Sequence, residues 1–354
     1  MLRIRMDIKA FTLLSAILLT VACISQSDVI YRHFWFRETI VITNNSSHVV
    51  RVHTRYLKIL IPLNIHPWQR IDTVIVKTNR RIEYRITSED NTQLIQIERC
   101  WLRPGESIKI EVLVRIKVTR ALPLINPRRI ARIDYELYGD FEQLKTKIAL
   151  QYEKYLDLGA LVEGDVREFK KFSERIAEAG EKEKVVNSLL RIVKWIMNNI
   201  KYVRSNSKRE PSQVILTREG NCLEQAMLLA AMCRAAGIPS YVLVAYHYKP
   251  GYVDNATVEG LSMTFHNLEP HALAMVYVPG VGWIPVDTTF YKGESELDAV
   301  NNPSIVIDDG FILAFTLADE EDFENIIYEG EKGLSITIVK ELYEEPLELY
   351  KPST

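Results

Sequence analysis

The sequence predicts an α+β protein of two domains, an N-terminal antiparallel β-sandwich followed by a helix-led α+β core. Three observations carry this. Between Val29 and Thr119 apolar and polar residues alternate with period two, the pattern of half-buried strands. Past Phe141 the period lengthens to that of amphipathic helices, in LKTKIALQYEKYLDLGALV and then EKVVNSLLRIVKWIMNNIKYV. After Thr217 comes a run of strong helix formers with both ends marked, and strands follow it. A length of 354 residues suits two domains of ordinary size. A net charge of −2 lacks the basic excess of a nucleic-acid binder, so no nucleic-acid partner is expected.

The elements follow in order. Arg3, Arg5 and Lys9 precede an uncharged run from Ala10 to Ile24, the layout of an export signal. That run is shorter than the roughly 20 residues of a comfortable membrane span. Residues 1–25 are therefore expected to be a cleaved signal peptide or a retained membrane anchor, and either places the remainder outside the cytoplasm. Cys23, after Leu19-Thr20-Val21-Ala22, resembles a lipid attachment site except at Thr20. Asn44 and Asn45 in NNSS, and Asn255 in NAT, fit the glycosylation acceptor pattern.

Residues 29–120 form the expected β-sandwich, with TIVIT, VVRVHTRYLKILIP, TVIVK and SIKIEVLVRIKV as strands. Breaks fall at Asn44 to Ser47, Asn64 to Pro67, Ser88 to Asn91 and Pro104-Gly105. The region contains no catalytic cluster. It holds 16 basic against 8 acidic residues, whereas residues 291–354 hold 4 against 16. This acidic C-terminal extension is a candidate to dock on the basic β region, with a cell-surface polymer or lipid head groups as alternative partners for the charges.

Residues 121–150, with Pro123 and Pro127, read as a linker and the start of the helical region, and residues 151–290 as the core. Val186, Leu189, Leu190, Val193, Ile196 and Ile200 recur near 3.6 spacing, a core-facing stripe, and Trp195 reads as packing. The helix that follows starts at Cys222. Asn221 is its N-cap, Glu224 completes a capping box, and Gly237 with Pro239 closes it. A helix N-terminus offers partial positive charge and free N–H groups, which favour a thiolate and can hold an oxyanion formed by its attack. Cys233 lies roughly 16 Å along the same helix at about 1.5 Å per residue, too far for a disulfide, and reads as an apolar filler.

A thiolate needs a base. His271 opens the strand HALAMVYV, and a turn at Val278-Pro-Gly-Val-Gly282 brings the chain back as Trp283-Ile-Pro-Val-Asp287. A hairpin can thus set Asp287 near His271, subject to its register. The expected roles are Cys222 as nucleophile, His271 as general base and then acid, and Asp287 as the carboxylate that orients the imidazole. The stretch Tyr246 to Pro270 reads as a long loop, the kind that serves as a lid, with His247 and His266 as loop residues. No ligand spacing or calcium loop is present, and no metal or cofactor is expected.

From about Trp195 to Thr288 the chain resembles the core shared by transglutaminase-like proteins, through NIKY, PSQVILTREGNCLEQA, CRAAGIPS, HALAMVYVPGVGW and PVDTT in that order. The resemblance implies a papain-like α+β fold in which Cys222, His271 and Asp287 match the family's Cys-His-Asp triad. The family commonly has Trp and an acidic residue where Leu273 and Met275 stand, positions that line the cleft or support it. A side chain that assists the oxyanion is not identified, with Tyr202 and Gln213 as candidates. The expected function is acyl transfer through a thioester on a protein or peptide substrate, hydrolysis ahead of crosslinking. The alternative is a catalytically silent member of the fold that serves as a surface binding or scaffold protein.

Overall fold

The computed structural model describes residues 31–52, 57–66, 68–89, 92–97, 100–119, 139–148, 152–205, 208–258, 260–280, 282–289, 312–317 and 333–345. The expected signal or anchor at 1–25, Cys23, and most of both the 121–150 linker and the acidic extension lie outside the described residues. Among these, no helix is long and apolar enough to cross a membrane.

The N-terminal strands are β1 (Tyr31–Asn44), β2 (Val50–Arg51), β3 (Lys58–Ile61), β4 (Gln69–Thr78), β5 (Tyr84–Glu89), β6 (Thr92–Ile97), β7 (Trp101–Leu102) and β8 (Ser107–Thr119). The helical region gives α1 (Phe141–Ile148), α2 (Val166–Ala177), α3 (Val185–Asn199), β9 (Lys201–Tyr202), α4 (Pro211–Thr217), β10 (Glu219–Gly220) and α5 (Cys222–Ala235). Five strands close the chain: β11 (Ser240–Val258), β12 (Leu261–Val278), β13 (Gly282–Val286), β14 (Ile312–Leu317) and β15 (Leu334–Glu344).

Eight of these strands make one mixed sheet in the order β14-β11-β12-β15-β1-β8-β4, with β13 added to the same edge of β12 further along. Period-two patterning explains its N-terminal half. Phe34, Phe36, Ile40 and Ile42 of β1 face one side, in register with Ile116, Val114, Ile110 and Ile108 of β8, and all eight are buried. β3, β6 and β5 form a separate small sheet whose Ile59, Ile61, Ile95 and Ile97 share that core. The expected sandwich over 29–120 is therefore not a separate unit, because its long strands belong to the sheet that also carries the core hairpin.

The connection is β15. It pairs antiparallel with β1 and parallel with β12, so a strand from the acidic C-terminal region lies between the two halves. Leu334, Ile336, Ile338 and Leu342 point into the core, and the acidic residues meet the basic β region. Arg32 pairs with Glu344, Arg37 with Glu341 at 3.3 Å, and Arg115 with Glu345 at 2.8 Å. The opposite charges of the two ends are, at this strand, a docking contact.

The helices form the second core. α5 is apolar on nearly every side and is buried accordingly, packed on β11 and β12. Of the α3 stripe, Val186, Leu189, Val193, Ile196 and Ile200 are buried and Leu190 is partly so, and Trp195 packs edge-on to Phe172 with the Arg218 guanidinium over its ring. The expected loop at Tyr246 to Pro270 is instead paired strand. β11 and β12 form one long hairpin, turning at Gly260 and interrupted by a bulge between Tyr248 and Val253. Pro250 and Gly251 occupy the bulge, where Gly251 takes φ +79° and donates its N–H to Asn267 Oδ1 at 2.8 Å. Of the acceptor asparagines, Asn44 is fully buried and donates to the carbonyls of His48 and Leu102, so only Asn45 of that pair is exposed.

Candidate active site

The first turn of α5 is held by a buried carboxylate. Asn221 Oδ1 accepts the Glu224 N–H at 2.9 Å and Glu224 Oε2 accepts the Asn221 N–H at 2.8 Å, the capping box expected from sequence. Glu224 is fully buried, and its remaining acceptor sites are filled by Arg209. The Arg209 backbone N–H and Nε donate to Oε1 at 2.8 and 3.0 Å, and its terminal nitrogen donates to Oε2 at 3.1 Å. Burial raises the carboxyl pKa of Glu224, and these hydrogen bonds outweigh it, so the group stays ionised below the usual range. Asn221 Nδ2 also donates to the Ser205 carbonyl. Nothing in sequence paired Arg209 with Glu224, since the intervening turn is not periodic. Arg209→Ala leaves a buried charge uncompensated and is expected to cost about 3–5 kcal/mol. Urea unfolding checks this, and an equal midpoint would refute it.

Cys222 is half-buried at this helix start, close enough to His271 for the two side chains to interact. The histidine sits where β12 changes partners. β15 leaves the β12 edge at His266 and β13 joins it at Ala274, so His271 lies in the intervening gap. Asp287 follows Val286, the last residue of β13, and enters that gap, with Oδ2 2.5 Å from His271 Nε2. Its other oxygen accepts the Thr289 N–H and hydroxyl at 2.8 and 2.7 Å. The hairpin register therefore brings His271 and Asp287 together, the start of α5 sets Cys222 beside them, and Thr289, whose signal was only its place in PVDTT, completes the carboxylate's shell.

Electrostatics follow from burial and pairing. Burial alone would lower the His271 pKa, but the Asp287 carboxylate and the hydrogen bonds to Asp287 and Cys222 push it up to about 10. Burial would raise Asp287, and the His271 charge with the Thr289 hydrogen bonds holds it below the usual carboxylate range. A raised folded pKa gives His271 a stabilising contribution fully present below 6.5 and lost as pH climbs toward about 10. A lowered one gives Asp287 a contribution present above 3.8 and lost as pH falls below it. The melting temperature of the wild type is thus expected to fall more steeply between pH 7 and 10 than that of His271→Gln; parallel curves would refute it.

Around this trio lie residues of mixed fate. Tyr202 stands beside the site: burial first, then the charges of Cys222, Glu269 and Asp287, hold its phenol protonated. Gln213, the other oxyanion candidate, is on the exposed face of α4. His247 is not a loop residue but lies on β11 in register with Glu269, on the face that carries His271. Burial and the neighbouring His271 charge lower its pKa to about 4, so it is neutral at neutral pH. Leu273 and Met275 are buried in the core that holds α5. Cys233 is fully buried, which pushes its thiol pKa far up and makes it the apolar filler expected. Among the described residues, no three His, Cys, Asp or Glu side chains are grouped to hold a metal ion.

Residues 170–288 match the family model of the transglutaminase-like superfamily, the family that the motifs resemble. No curated protein matches the chain. The fold is similar to that of a candidate cysteine protease from Cytophaga hutchinsonii, at 14% identity and a TM-score of 0.51, over 90% of this chain and 91% of that one. It is also similar to the periplasmic domain of TgpA from Pseudomonas aeruginosa bound to ethylmercury, at 15% identity and a TM-score of 0.33, over 77% of this chain and 93% of that one. At such identities the likeness is one of fold.

Proposed function

We propose that the protein is an exported transglutaminase-like thiol enzyme that opens amide or peptide bonds through a thioester on Cys222, with water as the acceptor. The observation that carries this reading is the convergence of Cys222, His271 and Asp287, three residues from separate elements, at the start of a helix. In this reading the Cys222 thiolate attacks the acyl carbon while the charged His271 stands ready to give its proton to the leaving amine. The oxyanion is held by the backbone N–H of Cys222, at the start of α5, and by the Tyr202 hydroxyl. His271, now neutral, takes a proton from water as the thioester is hydrolysed, and Asp287 keeps the ring oriented throughout. Export rests on the Arg-rich apolar start of the chain. Hydrolysis is favoured over transfer to a lysine amine because the half-buried thiol leaves water access.

The test is to incubate the protein with glutamine-containing peptides and a fluorescent primary amine, and to follow products by mass. Deamidated or cleaved peptide without amine adduct is the expected result. Adduct as the main product would assign crosslinking instead, and no thioester at Cys222 with any peptide would favour a binding role for the fold.

A further inference from the structure

The main chain beside Cys222 is only half paired. In the parallel ribbon of β9 and β10, the Lys201 N–H donates to the Arg218 carbonyl at 2.8 Å and the Val203 N–H to the Gly220 carbonyl at 3.1 Å. Successive residues of a strand direct their N–H and C=O groups to opposite edges, so those of Tyr202 point away from β10. Among the described residues no other strand pairs with β9 on that edge, and Tyr202 is 43% exposed. The side chain of this same residue lies near enough to Cys222 to feel its charge. An open strand edge at this place can accept an extended peptide as an added strand.

A second feature lies against the same ribbon. An open hollow of about 700 Å³ is lined by apolar and polar side chains together, among them Met197, Ile200, Lys201, Tyr202, Arg218 and Glu219. Lys201 and Glu219 are register partners whose side chains share one face of the ribbon, with their charged ends 3.8 Å apart. Tyr202 and Gly220 are the next pair, on the other face, and Gly220 stands two residues before Cys222. A peptide laid along the Tyr202 edge would alternate its side chains between these faces, one into the hollow and the next toward the nucleophile.

We propose that β9 is a substrate-binding strand: an extended polypeptide pairs through its main chain with Tyr202, and the hollow beside Lys201 and Glu219 receives one of its side chains. The proposal rests on Cys222 being the nucleophile, and it narrows the substrate to a chain segment in extended conformation. It excludes a free small amide or a helical segment as the preferred substrate.

The experiment uses the full chain and three alkylating probes, with Cys222→Ala as the site control. These are iodoacetamide, benzyloxycarbonyl-Ala-Ala-Ala chloromethyl ketone, and versions of the latter methylated at one amide nitrogen at a time. In the ketone reaction the Cys222 thiolate displaces chloride, a C–S bond replacing C–Cl, and the adduct is read by mass. After correction for each probe's rate with free cysteine, the peptide ketone is expected to label Cys222 at least about 100-fold faster than iodoacetamide, an advantage of about 2.7 kcal/mol. Methylation at one amide should lose at least about 10-fold, while methylation at its neighbour is tolerated, because only alternate amides face the added strand. Equal rates for all peptide ketones, with iodoacetamide still labelling Cys222, would overturn the strand-edge proposal and leave the nucleophile reading intact. Failure of every probe to label Cys222 would overturn both.

Discussion

His271→Ala is expected to slow alkylation of Cys222 by iodoacetamide at pH 6 by at least about 100-fold, the scale of a positioned acid–base partner. The reactive form of a cysteine is its thiolate, and a thiolate in a part-buried cleft needs a cation close by. In the wild type that cation is His271, which Asp287 keeps protonated to about pH 10. Removing the ring has two consequences of the same sign. The cation is lost, and the buried Asp287 carboxylate is left as an uncompensated negative charge beside the thiol. Asp287→Asn should give a smaller loss, since the imidazole remains in hydrogen-bonding reach of Cys222 but loses the charge that keeps it protonated. Cys100 and Cys233 are buried and serve as internal controls within the same mass spectrum, expected to be unlabelled in both native proteins. Equal Cys222 rates in wild type and His271→Ala would remove the case for an activated pair, and a binding role for this fold would then be the reading to pursue.

What the sequence made legible was local. Asn221, Glu224 and Gly237 are capping signals that act within one helix, so α5 and the placement of Cys222 at its start could be read directly. The Val278 to Gly282 turn likewise announced the β12–β13 hairpin, and with it the approach of Asp287 to His271. Contacts over long sequence separation were not legible in the same way. The partner of Glu224 is Arg209, across a cap and a short helix. The strand that joins the two halves of the sheet comes from the far end of the chain, where ELYEE reads as acidic tail and only ITIVK alternates. The β11–β12 arm reads as a loop in sequence, and the bulge at Pro250-Gly251 shows why, since a bulge uses the same residues as a turn. Tyr202 could be named as a candidate but not chosen over Gln213, since only the fold decides which of the two faces the thiol.

Ending the chain before Gly333 is expected to abolish cooperative unfolding, not merely to lower the melting temperature. β15 has strand partners on both edges, so its removal leaves β1 and β12 each with an unpaired edge where a ladder stood. It also removes four buried side chains, Leu334, Ile336, Ile338 and Leu342. At about 1.5–3 kcal/mol each these contribute about 6–12 kcal/mol, as large as the whole stability of a typical domain. The ion pairs with Arg32, Arg37 and Arg115 are the smaller part, because pairs with this much solvent contact are worth about 0–1 kcal/mol each. A chain with Glu341, Glu344 and Glu345 all changed to Gln should therefore stay folded, while Ile338→Asp should behave like the truncation. The loss should reach the site as well. Asn267, in a left-handed conformation at φ 60°, donates from Nδ2 to the Leu342 carbonyl at 3.1 Å and stands four residues before His271 on β12. Without β15 the histidine strand has no anchor on that edge below Ala274, and labelling of Cys222 should fall toward the rate of His271→Ala. A truncated chain that unfolds at the wild-type urea midpoint and labels at the wild-type rate would show that the two halves of the sheet stand independently.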